Sequence, residues 1–399
     1  MEVLSPAGNL QKLKYAVYFG ADAVYAGGSE FGLRANCGNL NKNELHQAAS
    51  FCREQNRNLY ITVNIFPRND DLKKLPEYLS YLQELKVDGL IISDPGIFRL
   101  AREFAPEIPI HISTQANVTS WKSAQFWYES GAKRIVLARE LGITEIIEIR
   151  EKLPDLELEI FVHGAMCMAY SGRCLLSSFL NNRSANSGDC SQPCRWSYNL
   201  VEETRPGEFF PLEQDKRGSY IMNSKDLCLF DRLPEIVAAG IDSIKIEGRM
   251  KSLYYVANLS RVYKHAVQSI RHNQPLDQNL RKELDKISHR HYTQGFFSDP
   301  TNQDTLFHNN SSYLRNYQFI GEIIRQENNY IEIPVKAKFV PGDELEIIFP
   351  DPSQDYCFTV EKILSQENEP LIKANPNTIV KVLVDKKFGE AGIIRKKVC

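Results

Sequence analysis

The chain has 399 residues, of which 43% are hydrophobic and 25% are charged, and its formal net charge is −2 at pH 7. A chain of this size can bury a large core and is expected to form two domains. The near-neutral charge excludes a protein that coats nucleic acid with a strongly basic surface. No apolar run reaches the roughly 18 residues of a membrane span, and the first residues lack a secretory signal, so we expect a cytoplasmic protein.

Residues 1–275 alternate short β-branched runs with helical patterns. The pattern predicts eight strands, at Glu2–Ser5, Ala23–Ala26, Tyr60–Asn64, Gly89–Ser93, Ile110–Ser113, Arg134–Ala138, Leu156–His163 and Ser243–Glu247. Eight such units most simply close as a (β/α)8 TIM-like barrel, and a doubly wound open sheet is the alternative. The barrel is favoured because no Gly-x-Gly-x-x-Gly motif follows the first strand.

The rest of the chain divides into a connecting segment and a second domain. Residues 276–315 are charged and rich in turn-forming residues, and His289, His291 and His308 in this segment are expected at the surface rather than as metal ligands. Residues 316–399 alternate short strand patterns with turns. This pattern predicts a small C-terminal all-β barrel domain, used for docking RNA or a partner.

Four of the nine cysteines lie in a loop at residues 164–200, directly after the seventh predicted strand. They are Cys167, Cys174, Cys190 and Cys194. Reduced thiols in a cytosolic protein favour a metal site or catalysis. The uneven spacing suits a 4Fe-4S cluster better than zinc, and structural or separately acting thiols are the third interpretation. Cys228 is the alternative fourth ligand, although its apolar surroundings are typical of a core residue.

A longer signature surrounds the first two of these cysteines. Its residues are Glu159, Phe161, Gly164, Ala165, Met166, Cys167, Gly172, Cys174, Leu176 and Ser177. Together with runs 4–9, 20–25 and 245–249, it resembles the collagenase-like peptidase family, unknown-type peptidase family thirty-two, over essentially the whole chain. That family contains members described as proteases and cluster-bearing members that hydroxylate transfer RNA, ribosomal RNA or the ubiquinone ring.

Runs 192–196 and 223–228 most resemble the members that form 5-hydroxyuridine at the tRNA wobble position using prephenate. The resemblance therefore implies an iron-sulfur tRNA uridine 5-hydroxylase, with prephenate as co-substrate and with tRNA and an electron donor as partners. The alternatives are a collagenase-like peptidase and a non-catalytic RNA-binding or assembly subunit. The common metallopeptidase and serine-hydrolase motifs are absent from the sequence, which disfavours the peptidase.

The chemistry of a TIM-like barrel lies at the carboxyl ends of its strands, so polar residues there are the candidates. The candidate catalytic residues are His163, Glu247 and Asn64. The candidate substrate-binding residues are Arg139, Lys245, Arg249 and Gln115, with Arg34 from the loop after the second strand. Cationic side chains suit a dicarboxylate, and ion pairs with neighbouring acids are the structural alternative. The candidates for contacting a flipped uridine are Arg173, Arg195 and Trp196.

Overall fold

The computed structural model describes most of the chain. The described residues are 1–32, 39–166, 174, 176–181, 183, 190–191, 193, 200–201, 209–210, 214–215, 218–219, 225–298, 313–389 and 391–398.

The first part of the chain contains fourteen strands among these residues. They are β1 (Glu2–Pro6), β2 (Ala23–Gly27), β3 (Asn58–Val63), β4 (Gly89–Ile92), β5 (Ile110–Ile112), β6 (Arg134–Val136), β7 (Glu157–Ala165), β8 (Leu200–Val201), β9 (Phe209–Phe210), β10 (Gln214–Asp215), β11 (Gly218–Ser219), β12 (Asp226–Cys228), β13 (Ser243–Ile246) and β14 (Tyr292–Thr293). Strands β1 to β7 pair in parallel in chain order, and β13 pairs with both β7 and β1. The pairing of β13 closes the sheet, which confirms the predicted eight-stranded barrel.

Helices connect these strands and cover the barrel. They are α1 (Leu10–Tyr18), α2 (Lys42–Glu54), α3 (Asn69–Leu72), α4 (Leu75–Leu85), α5 (Pro95–Phe104), α6 (Trp121–Glu129), α7 (Ile143–Lys152), α8 (Leu176–Asn181), α9 (Leu233–Ala238), α10 (Leu253–Arg271) and α11 (Gln278–Glu283). Several begin at a side-chain cap: Asn41 and Glu44 form a capping box at α2, and Asp94 caps α5 just before Pro95. None of the described helices is long and apolar enough to cross a membrane.

Strand β7 has three partners. Its first part lies between β6 and β13, and its last residues pair with antiparallel β12, where Ala165 is opposite Asp226 and His163 is opposite Cys228. Strand β14 then pairs in parallel with β12. The segment predicted to connect the domains therefore also extends the barrel sheet.

Our prediction of a surface position was wrong for His289, while His291 is exposed as predicted and His308 lies outside the described residues. The His289 side chain is buried, and its ring stacks on Tyr292 of β14 with ring centroids 4.2 Å apart. The polar residues around His289 in the sequence gave no sign of this contact, because the short strand that supplies it pairs with a distant part of the chain.

The C-terminal region is all-β, as predicted, and its strands pair antiparallel. Its strands are β15 (Tyr317–Glu322), β16 (Arg325–Glu327), β17 (Tyr330–Pro334), β18 (Glu344–Ile348), β19 (Tyr356–Thr359), β20 (Ile363–Leu364), β21 (Pro370–Leu371), β22 (Ile379–Leu383) and β23 (Ile393–Lys397). Strands β15, β23, β18 and β19 form one sheet, and β16, β17, β22, β20 and β21 form a second. Apolar side chains of both sheets share a single core.

Buried ion pairs join this region to α10 and α11. The fully buried Arg395 of β23 donates hydrogen bonds to Glu283, Glu346 and the Tyr254 hydroxyl at 2.6 to 3.0 Å. Arg261 of α10 donates to Asp355 at 2.7 Å and to Glu283 at 3.1 Å. Since each arginine bonds to both parts of the chain, the network ties the β region to the barrel.

Candidate functional site

The end of β7 is held rigidly where the cysteine loop begins. Gly164 has φ = 112°, a conformation that favours glycine, and a Cβ atom at this position would lie 2.6 Å from the Glu247 carbonyl oxygen. The Arg139 guanidinium donates a hydrogen bond to the Ala165 carbonyl at 3.0 Å. Ala165 also pairs with Asp226, so three parts of the fold fix the direction in which the chain leaves the barrel.

Two of the four predicted cluster ligands, Cys174 and Cys190, lie at described positions. Cys174 is half-buried just before α8, and Cys190 is exposed. Their segments are joined because the Ser191 backbone N–H donates to the Ser177 hydroxyl at 3.0 Å, and the two hydroxyls lie 2.9 Å apart. The fold thus brings together two segments that carry thiol donors, and thiolates suit a soft metal centre.

The other two predicted cluster ligands, the predicted RNA-contacting residues and one predicted substrate-binding residue lie outside the described part of the chain. They are the cluster ligands Cys167 and Cys194, the RNA-contacting residues Arg173, Arg195 and Trp196, and Arg34. Among the described residues, no group of three or more His, Cys, Asp or Glu side chains has the geometry of a metal site. The four-cysteine ligand set stays a prediction.

Cys228 and His163 lie together in the layer between the barrel and α10. Both side chains are buried, and His163 Nδ1 is 3.0 Å from the Tyr263 hydroxyl. Burial raises the pKa of the Cys228 thiol to about 11 and lowers the pKa of His163 to about 3. His163 is therefore neutral and faces helix residues; its catalytic role stays a prediction.

Arg249 lies over the carboxyl ends of β2 and β3. Its guanidinium donates to the Thr62 hydroxyl at 3.3 Å and to the Asn39 side-chain oxygen. A Cβ atom on Gly27 would lie 2.2 Å from one of its terminal nitrogens, so only glycine leaves room for the arginine. The structure thus places one predicted anion-binding residue at the barrel mouth, beside the loop that contains Arg34.

Asn64 and Gln115 are brought together at the ends of β3 and β5. The Asn64 amide donates to the Gln115 side-chain oxygen at 2.9 Å, and the Ser93 hydroxyl donates to the Asn64 carbonyl at 3.1 Å. Both side chains are only partly buried. These two predicted site residues therefore form a polar pair on the same face as Arg249.

Lys245 lies deeper, inside the barrel. Its ammonium is 2.7 Å from Glu159, which also binds Arg134 at 3.1 Å. Burial alone would raise the pKa of the Glu159 carboxyl, but the charges of Lys245 and Arg134 outweigh it and hold that pKa below its usual value. The structure thus places Lys245 in a buried ion-pair network. Glu247 directly follows β13 and is also buried, next to Gly164.

Our sequence analysis missed a buried ion pair beside the start of the cysteine loop. The Arg290 backbone N–H and guanidinium donate three hydrogen bonds of 2.7 to 3.1 Å to Asp226. Burial would raise the pKa of Asp226, but Arg290 holds it below its usual value. Asp226 lies in the run 223–228 that we singled out, whereas nothing in the sequence marks Arg290 as its partner.

Comparisons with known proteins agree with this architecture. The family model described as peptidase family U32 matches residues 8–306, and its C-terminal domain model matches residues 315–395. The tRNA hydroxylation protein P1 of Bacillus subtilis is 38% identical, over 99% of this chain and 94% of that protein.

Two further relatives extend the comparison. The tRNA hydroxylation protein P of Haemophilus influenzae is 38% identical, over 92% of this chain and 89% of that protein. A 23S rRNA 5-hydroxycytidine synthase of Escherichia coli is 31% identical, over 87% of this chain and 52% of that protein. Because the two family models together match nearly the whole length, the chain belongs to peptidase family U32.

Proposed function

We propose that this protein is an iron-sulfur tRNA-modifying enzyme that hydroxylates the wobble uridine to 5-hydroxyuridine, with prephenate as co-substrate. The observation that carries the proposal is 38% identity, over 99% of the chain, to a protein named for tRNA hydroxylation. The relative named for forming 5-hydroxycytidine in rRNA supports hydroxylation of a pyrimidine base as the general reaction.

The strand ends supply the side chains that such a reaction needs. Arg249 lies at the barrel mouth, and Arg139 follows β6 with its guanidinium at the end of β7, so these two cations could each take a carboxylate of prephenate. The Asn64 and Gln115 pair offers amide donors and acceptors to the edge of a uracil base. These groups would bind and orient the two substrates at the open end of the barrel.

Cys167, Cys174, Cys190 and Cys194 would hold the 4Fe-4S cluster. The support from the fold is the pair of hydrogen bonds that joins the Cys174 and Cys190 segments through Ser177 and Ser191. When bound, the cluster would supply electron transfer or a Lewis-acid site. An electron donor is the partner that we expect in addition to tRNA.

The proposed reaction is tested by deleting the gene in a strain that has no oxygen-dependent route to the same nucleoside. We expect wobble 5-hydroxyuridine to disappear from tRNA digests analysed by mass spectrometry, and to return when the gene is restored. An unchanged level of the nucleoside after deletion would rule out this function.

The cofactor is tested separately by anaerobic purification with iron and sulfide analysis. We expect about four irons per chain and broad absorption near 400 nm, lost when any of the four cysteines is changed to Ala. Cys228→Ala is the matched control, because the Cys228 thiol is buried against α10 and should leave the iron content unchanged. Zinc alone, or no metal, would exclude the cluster.

A collagenase-like peptidase is the second candidate, and the family name is what favours it. A cysteine peptidase needs an accessible thiolate and a base. Cys228 has a raised pKa and His163 is neutral and buried, so these two described residues do not provide that pair. Gelatin degradation by the metal-free protein would establish this activity.

A non-catalytic RNA-binding or assembly subunit is the third candidate. It would be supported if substitutions of Arg139 and Arg249 left the modification intact while truncation near residue 315 abolished it.

A further inference from the structure

The N-terminus of α10 lies at the carboxyl end of the eighth barrel strand. Strand β13 ends at Ile246, and α10 begins at Leu253 after its cap, Ser252. With 19 residues, α10 is the longest helix in the described part of the chain, and its first turn contains no acidic side chain. The aligned peptide dipoles give the start of such a helix a partial positive charge. Loops and helix starts at this end of a TIM-like barrel are frequent phosphate sites.

Two backbone N–H groups in the first turn of α10 lack an acceptor. The Ser252 hydroxyl accepts a hydrogen bond from the Tyr255 N–H at 3.2 Å. The N–H groups of Leu253 and Tyr254 are bonded to no acceptor among the described residues. Free N–H groups at a helix start are the donors that an oxyanion uses there.

Lys251 places a cation directly before this positive helix end. Its ammonium lies 5.1 Å from the ring centroid of Tyr255 and 4.6 Å from that of Tyr313. Within the described ranges, no residue accepts a hydrogen bond from the ammonium or forms an ion pair with it. The helix dipole repels a cation at this end, so Lys251 is not placed there for the stability of the helix. A bound anion would be attracted by both.

Arg290 brings a second cation to the same tyrosine. Its Cζ atom is 5.8 Å from the ring centroid of Tyr313. The guanidinium bonds to Asp226 through Nε and Nη2, but Nη1 is buried and has no hydrogen-bond partner. A buried donor without an acceptor is unfavourable, because it has lost its bonds to water and gained none in return. Such a group indicates that a ligand supplies the acceptor.

The charges around Asp226 show that both cations lie near the start of the cysteine loop. Burial would raise the pKa of Asp226, but the charges of Arg290 and Lys251 outweigh this effect. Asp226 is bound by Arg290, and Glu247, the other nearby acid, forms no ion pair with Lys251. Lys251 is therefore the cation of this cluster whose charge no ion pair compensates. Because Asp226 is opposite Ala165, the cluster borders the segment that carries the thiols.

We propose that Lys251 and the N-terminus of α10 bind a backbone phosphate of the substrate RNA, and that Arg290 contacts this phosphate or its neighbour along the strand. The proposal rests on the function above and assigns the part of the RNA that this side of the mouth holds. A uridine that leaves its stack carries its phosphate with it. The tetrahedral oxygens of a phosphate can accept from an ammonium and from helix N–H groups together. The planar carboxylates of prephenate suit the forked guanidinium groups of Arg139 and Arg249 better.

The test compares Lys251→Gln with Lys14→Gln. Lys14 of α1 is also half-buried and lies 5.5 Å from the ring centroid of Phe51, and no described residue forms an ion pair with it. Binding of unmodified tRNA to the full chain is measured by fluorescence anisotropy at several salt concentrations. We expect Lys251→Gln to weaken binding about tenfold at low salt and to reduce the slope of log K against log salt by about 0.7 to 1. Lys14→Gln should change neither.

Melting temperatures without RNA separate a phosphate contact from a structural role. Lys251→Gln should not lower the melting temperature, because it removes a cation from the positive end of a helix. A lower melting temperature with an unchanged salt slope would overturn the proposal, as would equal effects of the two substitutions or no tRNA binding by the wild type.

Calorimetry with prephenate distinguishes the two anionic substrates. Loss of prephenate binding in Lys251→Gln, with the salt slope for tRNA unchanged, would assign the cluster to the co-substrate and also overturn the proposal. If gene deletion left 5-hydroxyuridine unchanged while Lys251→Gln reduced the salt slope, the phosphate site would stand and the hydroxylase would fall.

Discussion

Glycine residues determine how closely the polar groups of the barrel mouth approach the backbone. Gly8 and Gly27 lie against Arg249: a Cβ atom on either would lie 2.2 Å from the carbonyl oxygen or the guanidinium of that residue. Gly164 combines a left-handed conformation with a similar close approach, in its case to Glu247. A side chain at any of these positions would displace a residue that we assign to the site.

Gly164→Ala is expected to destabilise the protein strongly, because it combines an unfavourable φ with a Cβ atom 2.6 Å from the Glu247 carbonyl oxygen. We expect a loss of about 3 kcal/mol or more in the free energy of unfolding. Gly342→Ala is the control: its φ is 92° and nothing lies within 4 Å, so only the conformational cost of about 1 to 2 kcal/mol applies. Equal losses in denaturant titrations of the two variants would contradict this account.

At the scale of elements, a bulge between β7 and β13 changes which side chains face the barrel interior. Lys245 is opposite Phe161, but the next residue, Ile246, is opposite His163. Side chains alternate along a strand, so one extra residue reverses the direction of those that follow. His163 consequently packs against tyrosines of α10, including Tyr263 at a ring distance of 5.7 Å.

The buried histidines are expected to make the protein sensitive to mild acid. Burial is the largest cause of the lowered pKa of His111, His163 and His289. The folded protein therefore keeps His111 and His163 neutral well below the unfolded value of about 6.5, and the pKa of His289 is shifted in the same direction. The unfolded chain takes up these protons, so stability is complete above pH 6.5 and falls as the pH drops. At pH 5 the loss from His163 should be about 2 kcal/mol.

His163→Phe tests this prediction by removing one of the three titrations while keeping an aromatic ring. Denaturant titrations from pH 7 to pH 5 should give a weaker pH dependence for the variant than for the wild type. This window lies above the ordinary carboxyl range, so the acid groups contribute little to the slope. The same slope in both proteins would show that His163 is not a buried neutral group.

The sequence patterns were sufficient to predict the eight barrel strands, because buried parallel strands flanked by helices give a strong signal. They also placed Arg249, Asn64 and Gln115 at the strand ends where the structure has them. The direction of His163 was not predictable, since the bulge depends on pairing with β13, far away in the chain.

At the scale of the whole molecule, the ion pairs of Arg261 and Arg395 connect the C-terminal β region to the barrel helices α10 and α11. Glu283 of α11 accepts hydrogen bonds from both arginines. Burial alone would raise the pKa of the Glu283 carboxyl, but the hydrogen bonds and charge of Arg395 outweigh this effect and lower the pKa to about 2. A β region held in this way moves with the barrel. RNA bound to that region would therefore be presented to the mouth at a fixed distance.

Arg395→Met should loosen this connection, because it leaves the buried Glu283 and Glu346 carboxylates without their main partner. We expect a loss of about 3 to 5 kcal/mol in thermal or denaturant unfolding. Arg325→Met is the control: Arg325 also binds a glutamate, Glu332, at 2.8 Å, but its side chain is exposed, so stability should not change measurably. Similar effects of the two substitutions would show that burial of the network is unimportant.

The pairing of Glu2 with Ser243 also sets an order of events during synthesis. Strand β1 cannot pair with β13 until β13 has been synthesised, so the barrel stays open while the whole cysteine segment leaves the ribosome. Contacts this distant in sequence form late, because the chain between them must first be ordered. The mouth with Arg249 exists only after closure, so a cofactor or substrate that depends on it cannot be received before β13 has been synthesised.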